Sequence, residues 1–500
     1  MSRIILIGRN IRFRFLSNIL AMVITFFLFP FIVGHTGKEL YGVYLLVMTV
    51  AGYFLLLDFG VGAALTKYIS QYQGIGDTES INNIISASFS FYILIGLVAA
   101  FFLFGCSMFF NFFFSIEAKN LVLAKHLFII AAMSSLFTWP LNTFRGTMQG
   151  LNLWDIEALV NITAQIILAC SAVIIFIAGY GIVFYYIVAQ LLNVLSCILF
   201  YAVAKKRIFF KVSFPYLDKK TFRLIFKFSS FMFLSSLVGI ILFQVHNFII
   251  GYFISLSAVT IYAVAYNIQN YFRTINSAMG APPWTIASSM EGKSDYDGQR
   301  MLVIKGTKYM SAVFLPLVII MLFFVEPFIG YWMGRGFQES VLPARIIILF
   351  WCFNGIIELA GGMISAKGLA KECLYIHIVA AILNIVIGIV LIKVIGIVAI
   401  ALGLTVSMIF IGAPLTLRLS LEILNISFVE YYNKAVKSNL LLYFFVAVFS
   451  FALLRFFYPK NIYYTFFEMT TIYIISLAFY YIFFLNKIEK TEIRKLAGIE

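Results

Sequence analysis

Five ionisable side chains stand where an apolar sequence should not carry them. Arg273 lies inside the run VTIYAVAYNIQNYFRTINSAMG, 14 residues beyond Val259, roughly 21 Å in at helical rise. An arginine at that depth costs about 3 kcal/mol on insertion scales, so its position asks for a reason. Its planar fork donates several hydrogen bonds while staying charged, which suits phosphate. Asn267, Asn270, Thr274 and Ser277 recur at spacings of three or four, and Gln269, Arg273 and Asn276 flank that polar stripe on one half of the helix. The alternative for Arg273 is a packing role, paired with a carboxylate. Glu358, 16 residues into a second apolar run beside Gly361 and Gly362, is open to three readings: a counter-charge to Arg273, a site for a coupling proton or sodium ion, or packing. Arg145 and Lys367 close two apolar runs, where a cation either meets an anion at the inner mouth or anchors a span. Asp58, within YFLLLDFGVGAALTKY, lies 17 residues past Tyr41, roughly 26 Å along. It is therefore expected near the cytoplasmic end of its helix as an inner-gate or packing residue, with GVGAA offering small surfaces for a close helix contact.

The elements that must position these groups are membrane spans. Of 500 residues, 63% are hydrophobic and 11% charged, with mean hydropathy +1.01, against about a quarter charged in a soluble domain. The solvent for this chain is lipid, and the fold class is all-α integral membrane. Arginines at the N-terminus precede a run long enough to remain as a span, with no small-residue cleavage site, so no removable signal peptide is expected. The five cysteines form no C-x-x-C pair and the four histidines are scattered, which argues against disulfides and metal.

A span needs roughly 20 apolar residues. Fourteen candidates follow, near 13–33, 41–66, 82–112, 121–144, 157–178, 181–204, 224–253, 257–284, 304–330, 342–366, 373–394, 397–417, 438–457 and 463–485, with turns at Gly179–Gly181 and Gly396. With the N-terminus in the cytoplasm, alternation puts 27 Lys and Arg inside and 8 outside. An even number of spans with both ends inside satisfies the positive-inside rule. Arg273 alone of the 36 basic residues falls mid-span. The net charge of +15 then reads as cytoplasmic loops facing anionic lipid, and no nucleic-acid-binding pattern is present.

The basic run at 205–227 invites comparison of the two sides. LYGVY (40–44) recurs as IYAVA (261–265), QGLNLWDIEALVNI (149–162) as KGLAKECLYIHIVA (367–380), and YGIVFYYIVAQL (180–191) as IGIVAIALGLTV (395–406), at offsets of 221, 218 and 215. Three matches in order predict a duplicated six-helix bundle: residues 1–204, a basic cytoplasmic linker 205–223, a second bundle 224–417, two extra helices in 418–486, and a cytoplasmic tail 487–500. Parallel repeats around a central cavity are the plan of an alternating-access transporter.

The stretch LLLDFGVGAALTKYISQYQGIGD after ELYGVY, with QGLNLW, AKGLAKE and VEPFIGYWMGRGFQES, resembles the polysaccharide (O-antigen, Wzx-type) flippases of the multidrug/oligosaccharidyl-lipid/polysaccharide exporter superfamily. The resemblance covers essentially the whole chain. It implies a flippase moving undecaprenyl-pyrophosphate-linked oligosaccharide from the inner to the outer leaflet of a bacterial inner membrane, alongside a polysaccharide polymerase and glycosyltransferases. Arg273, Arg145, Lys367, Asn270, Gln269 and Asn276 would then face the pyrophosphate and glycan, with Glu358 and Asp58 in coupling or gating.

An enzyme acting on the same lipid carrier would need a sizeable outer loop with catalytic residues, and these loops are short. A Walker G-x-x-x-x-G-K-[ST] motif is absent, so ATP is not the expected direct energy source, and no cofactor is implied. The nearer rival is a cation-coupled multidrug extrusion antiporter of the same fold. Such a protein needs deep carboxylates, whereas this sequence places an arginine there.

Overall fold

The computed structural model describes residues 3–113, 117–208, 210–216, 218–292, 294–367, 369–487 and 489–491. The tail residues Arg494 and Lys495, Lys293, and the side chains of Arg3, Arg9, Arg12, Arg14 and Lys227 lie outside what is described. The described residues form helices and no strands: α1 (Arg3–Tyr53), α2 (Val61–Ile75), α3 (Thr78–Phe113), α4 (Ala118–Gly150), α5 (Trp154–Ile177), α6 (Gly181–Arg207), α7 (Lys219–Phe243), α8 (His246–Phe253), α9 (Leu256–Gly292), α10 (Tyr296–Trp332), α11 (Val341–Ala366), α12 (Ala370–Ile395), α13 (Val398–Ser407), α14 (Ala413–Ile423), α15 (Phe428–Tyr431), α16 (Leu440–Phe456) and α17 (Ile462–Phe483). The chain is a multi-pass, all-helical membrane protein.

Eleven described helices are long and apolar enough to cross a membrane, or twelve if the bent pair Phe233–Phe243 and His246–Phe253 is one span. The expected fourteen is not reached by this measure, for two physical reasons. The runs 13–33 and 41–66 join in one segment, Leu16–Asp58, broken internally at Gly37, whose φ of 78° is non-helical. Helix α9, the expected span 257–284, is absent from the eleven, because its amides and Arg273 depress the hydropathy of a helix otherwise long enough.

Chain breaks follow the glycines. Gly179, Gly181 and Gly396 all have positive φ, as their expected turns require. A sharper break follows Asp58: Phe59 and Gly60 are both left-handed, and the helix restarts at Val61 and runs to Ile75. The expected span 41–66 therefore crosses a corner, and much of the expected first cytoplasmic loop is the helix α2.

Two compact units are formed, Met1–Thr260 and Ile261–Glu500, so the boundary falls within α9. In the first unit α2, α3, α4 and α6 share a core that includes Leu65, Ile69, Tyr92, Trp139, Phe144 and Phe200. Helices α7 and α8 also belong to this unit. Tyr68 Oη donates to Leu224 O at 3.4 Å, and Asn247 Nδ2 to Thr49 Oγ1 at 2.9 Å. In the second unit α10 packs with α16 and α17 around Ile320, Phe324, Val446 and Ile472.

The linker is a docked segment rather than a free loop. The backbone N–H groups of Lys211, Ser213 and Tyr216 donate to Asn82 Oδ1, Ser86 Oγ and Ser90 Oγ on α3, at 2.9, 2.9 and 3.0 Å. Acceptors four residues apart lie about 6 Å apart along a helix, close to the advance of the two extended residues from Lys211 to Ser213, while the step from Ser213 to Tyr216 takes three residues and is not fully extended. That match lets α3 satisfy a chain that has no sheet partner. Asp218 then caps α7, accepting from Lys220 N and Thr221 N. Hydrogen bonds from Thr221, first its side chain, hold the Asp218 carboxyl below the usual carboxylate range.

Helices α2 and α4 meet at bare backbone. A Cβ on Gly150 would stand 2.8 Å from Ile69 Cβ and 3.1 Å from Thr66 O, and one on Gly146 would collide with Leu65. Gly150→Ala is therefore expected to destabilise the purified protein by about 1–3 kcal/mol, the usual scale of overpacking. Gly105→Ala, with nothing within 4 Å of its Cβ, should leave the thermal midpoint unchanged or raise it.

Candidate functional site

The polar groups assemble in four separate clusters, two in the first unit, at the corner before α2 and between α4 and α5, and two around the second unit's α9 to α11. Asp58 ends a short 3-10 turn, Phe54–Asp58, at the corner before α2. Its Oδ1 accepts from the Tyr92 hydroxyl and, at 3.3 Å, from Gly62 N. The carboxylate thus sits over the first turn of α2, where free N–H groups and the helix dipole favour negative charge. Its contacts are those of a corner-holding residue.

Arg145, on the last turns of α4, donates from Nε to Glu157 Oε1 at 2.7 Å. Gln149 Nε2 donates to both Glu157 oxygens at 3.1 Å. Thr66 Oγ1 of α2 donates to Gln149 Oε1 at 3.3 Å and to Gly146 O at 3.4 Å. Glu157 is buried, whereas the Arg145 side chain is 48% exposed.

The second unit holds a counterpart built differently. Lys367 Nζ lies 3.2 Å from Glu291 Oε2 and 4.5 Å from the centre of the Tyr296 ring. Gln299 Nε2 donates to the same Glu291 oxygen at 3.0 Å and to Ala287 O at 3.2 Å. The Lys367 side chain is only 12% exposed, so its ammonium is enclosed by a carboxylate and a ring. The Gln299 hydrogen bond is the largest cause holding the Glu291 carboxyl below its usual range; burial opposes it and Lys367 adds to it.

Helix α9 divides its polar residues between two faces. Gln269 and Asn276 are buried, while Arg273 and Ser277 are exposed and Asn270 and Thr274 are intermediate. Asn276 Nδ2 donates to Glu358 Oε2 at 2.8 Å, and Asn354 Nδ2 reaches the same oxygen at 3.5 Å. Gly280 makes room for this carboxylate: a Cβ there would be 3.1 Å from Glu358 Cγ. Neither end of the buried Gln269 amide has a hydrogen-bond partner among the described residues. The Arg273 charge acts on Tyr266, seven residues or about two turns earlier.

The structure thus brings Asn276 and Glu358 together and sets Arg145 and Lys367 each against a carboxylate. Sequence reasoning missed Glu157, Glu291, Gln149, Gln299 and Asn354. A signal existed for Asn354, four residues before Glu358 and so on its helix face. For Glu157 and Gln149 the signal was weaker: two polar residues in the QGLNLWDIEAL stretch, four and twelve residues past Arg145. Among the described residues no group of three or more His, Cys, Asp or Glu could hold a metal ion.

Residues 7–281 match the model of a family described as polysaccharide biosynthesis protein. A candidate O-antigen transporter of Shigella flexneri is 22% identical over 359 residues, which cover 69% of this chain and 82% of that protein. Among solved structures, the lipid II flippase MurJ in an inward closed conformation superposes with a TM-score of 0.73 at 17% identity, over 93% of this chain and 97% of that one. An inward-facing multidrug resistance MATE family transporter of the MOP superfamily gives 0.64 at 15% identity, over 82% and 95%. At these identities the structural likeness is one of fold.

Two outcomes follow from the clamps. Glu157→Ala leaves Arg145 and Gln149 without their shared acceptor and should cost about 2 kcal/mol, the scale of hydrogen bonds to a charged group, read as a lower thermal midpoint. The lowered Glu291 pKa makes its clamp pH-dependent with a definite sign. Its stabilising contribution is complete above the ordinary glutamate range near ~4.3 and is lost as pH falls through the depressed value. A stability profile of Glu291→Gln should lack that acid-side component.

Proposed function

Because the chain belongs to the polysaccharide biosynthesis protein family, we propose that it is a flippase for undecaprenyl-pyrophosphate-linked oligosaccharide. It carries this cargo from the inner to the outer leaflet of the bacterial inner membrane by alternating access, with both termini cytoplasmic. The observation that carries the reading is α9, a helix of spanning length that bears an exposed arginine and a row of amides and hydroxyls. A face like that is costly against lipid and suited to a hydrated anionic cargo. The internal repeat read in the sequence, as two six-helix bundles at 1–204 and 224–417 with two added helices, would support a transport cycle rather than a catalytic one. A polysaccharide polymerase and glycosyltransferases are the protein partners that such a cargo requires.

Within this reading the residues divide by accessibility. Arg273 meets the pyrophosphate at depth, with Asn270 beside it for the phosphate or first sugar. Gln269 and Asn276 point into the unit, and Asn276 positions Glu358, the carboxylate best placed to take a coupling proton or cation. Arg145, with its side chain about half exposed, is the inner-mouth contact. Lys367, already enclosed by Glu291 and Tyr296, contributes structure first and cargo binding only if Glu291 lets go. Asp58 acts through the corner it holds at the start of α2.

In a surface-polysaccharide complementation assay, Arg273→Ala and Arg273→Glu are each expected to reduce glycan display at least tenfold with membrane insertion intact. Full display by both variants removes Arg273 from the mechanism. Drug resistance conferred by the unaltered protein, with glycan display unaffected by its deletion, would replace the flippase reading with the antiporter.

A further inference from the structure

Around the linker, the end of α6 carries Lys206 and Arg207, the linker itself Lys211, and the first turns of α7 Lys219 and Arg223, all exposed and with no ion pair among the described residues. The only acidic residue between 205 and 223 is Asp218, whose carboxylate is occupied by the N-terminus of α7. A run of this kind in a loop is ordinarily a mobile, solvated face. Here it is fixed: three consecutive anchor points hold it to α3 through Asn82, Ser86 and Ser90. Phe210 is buried against Phe144 and Tyr201, with ring centroids 5.9 and 6.2 Å away.

Its depth can be placed from α3. That helix has 36 residues, about 54 Å, against hydrocarbon about 30 Å thick, so roughly 24 Å of it lies outside. Asn82 and Ser90 lie about 6 and 18 Å from its first residue. The docked segment therefore lies along the N-terminal third of α3, toward the end of the helix that leaves hydrocarbon. Phe214 stands 60% exposed at its lower part, between Lys211 and Lys219 in sequence. Cations at headgroup level with an aromatic ring directed away from the protein are what an anionic bilayer surface recognises.

We propose that the docked segment 205–223 is a fixed binding site for anionic phospholipid headgroups, with Phe214 seated at the acyl boundary. The fixed geometry means that headgroups are held at one place on the protein instead of attracted diffusely. This site is independent of the cargo: it lies on the linker and does not use Arg273, Arg145 or Glu358.

The test uses the full chain, purified in mild detergent from membranes containing phosphatidylglycerol and a neutral lipid, with retained lipids counted by native mass spectrometry. The unaltered protein is expected to retain phosphatidylglycerol over the neutral lipid. It should release it between about 0.1 and about 1 M salt, where the Debye length falls from about 10 to about 3 Å. Each of K206Q, R207Q, K211Q and K219Q should weaken retention about fivefold, the fold-change of ~1 kcal/mol per basic residue near the surface. N82A/S86A/S90A keeps every charge but frees the segment, and should lose most of the preference too. Retention insensitive to salt, or equal for both lipids, overturns the proposal without recourse to any variant. Wild-type retention in the Gln variants overturns the site, and wild-type retention in N82A/S86A/S90A overturns its fixed geometry.

Discussion

A charge or a polar amide carried into hydrocarbon has no water to fall back on, so it must be met by another part of the chain or by something the chain transports. This constraint orders the rest of the structure. Glu358 is met by the Asn276 amide at 2.8 Å, with a glycine opposite to admit it. Asp58 is met by a hydroxyl and by the N–H groups of a helix that begins there for that purpose. Glu157 gathers an arginine and a glutamine. On the exposed side of α9, Arg273 and Ser277 give the molecule a polar surface. The proposed function rests on that surface.

The two basic residues that end corresponding helices show how the same charge is put to different ends. Arg145 is bound to Glu157 through Nε, and its side chain is about half exposed. Lys367 has one nitrogen, and Glu291 and the Tyr296 ring cover it. A point charge that is covered is a structural link. A planar one held by its inner edge can still bind outward. Sequence symmetry between the helix ends therefore does not extend to chemical equivalence.

Much of this fold was legible from composition and apolar run length, because lipid imposes one requirement over and over: twenty apolar residues in a self-satisfied helix. The turns at Gly179–Gly181 and Gly396 were legible for the same kind of reason, a backbone conformation that needs glycine. What could not be read were features set by long-range partners. The corner at Phe59–Gly60 looks in sequence like the middle of a span, and nothing local says that Tyr92, 34 residues later, will hold it. The basic linker looks like loop, since its acceptors are ordinary Asn and Ser residues of α3. In the candidate site Arg273 announced itself by being costly. Glu157 and Glu291 did not, because a carboxylate beside a helix end is common and its burial is decided by packing. That Gln269 and Asn276 are buried while Arg273, on the same half of the helix, is exposed follows from the rotation of α9 against its neighbours, which a stripe of polar residues leaves undetermined by some tens of degrees.

On α4, the residues that touch α2 and the residues that handle charge alternate within two turns: Arg145, Gly146, Gln149, Gly150. The glycines set how near α2 comes, and Thr66 on α2 reaches across that gap to Gln149 and to the Gly146 carbonyl. One short stretch of α4 therefore carries two jobs at once: the same two turns that set the closeness of a helix contact also hold an ion pair, so a change at either glycine is felt at the charge.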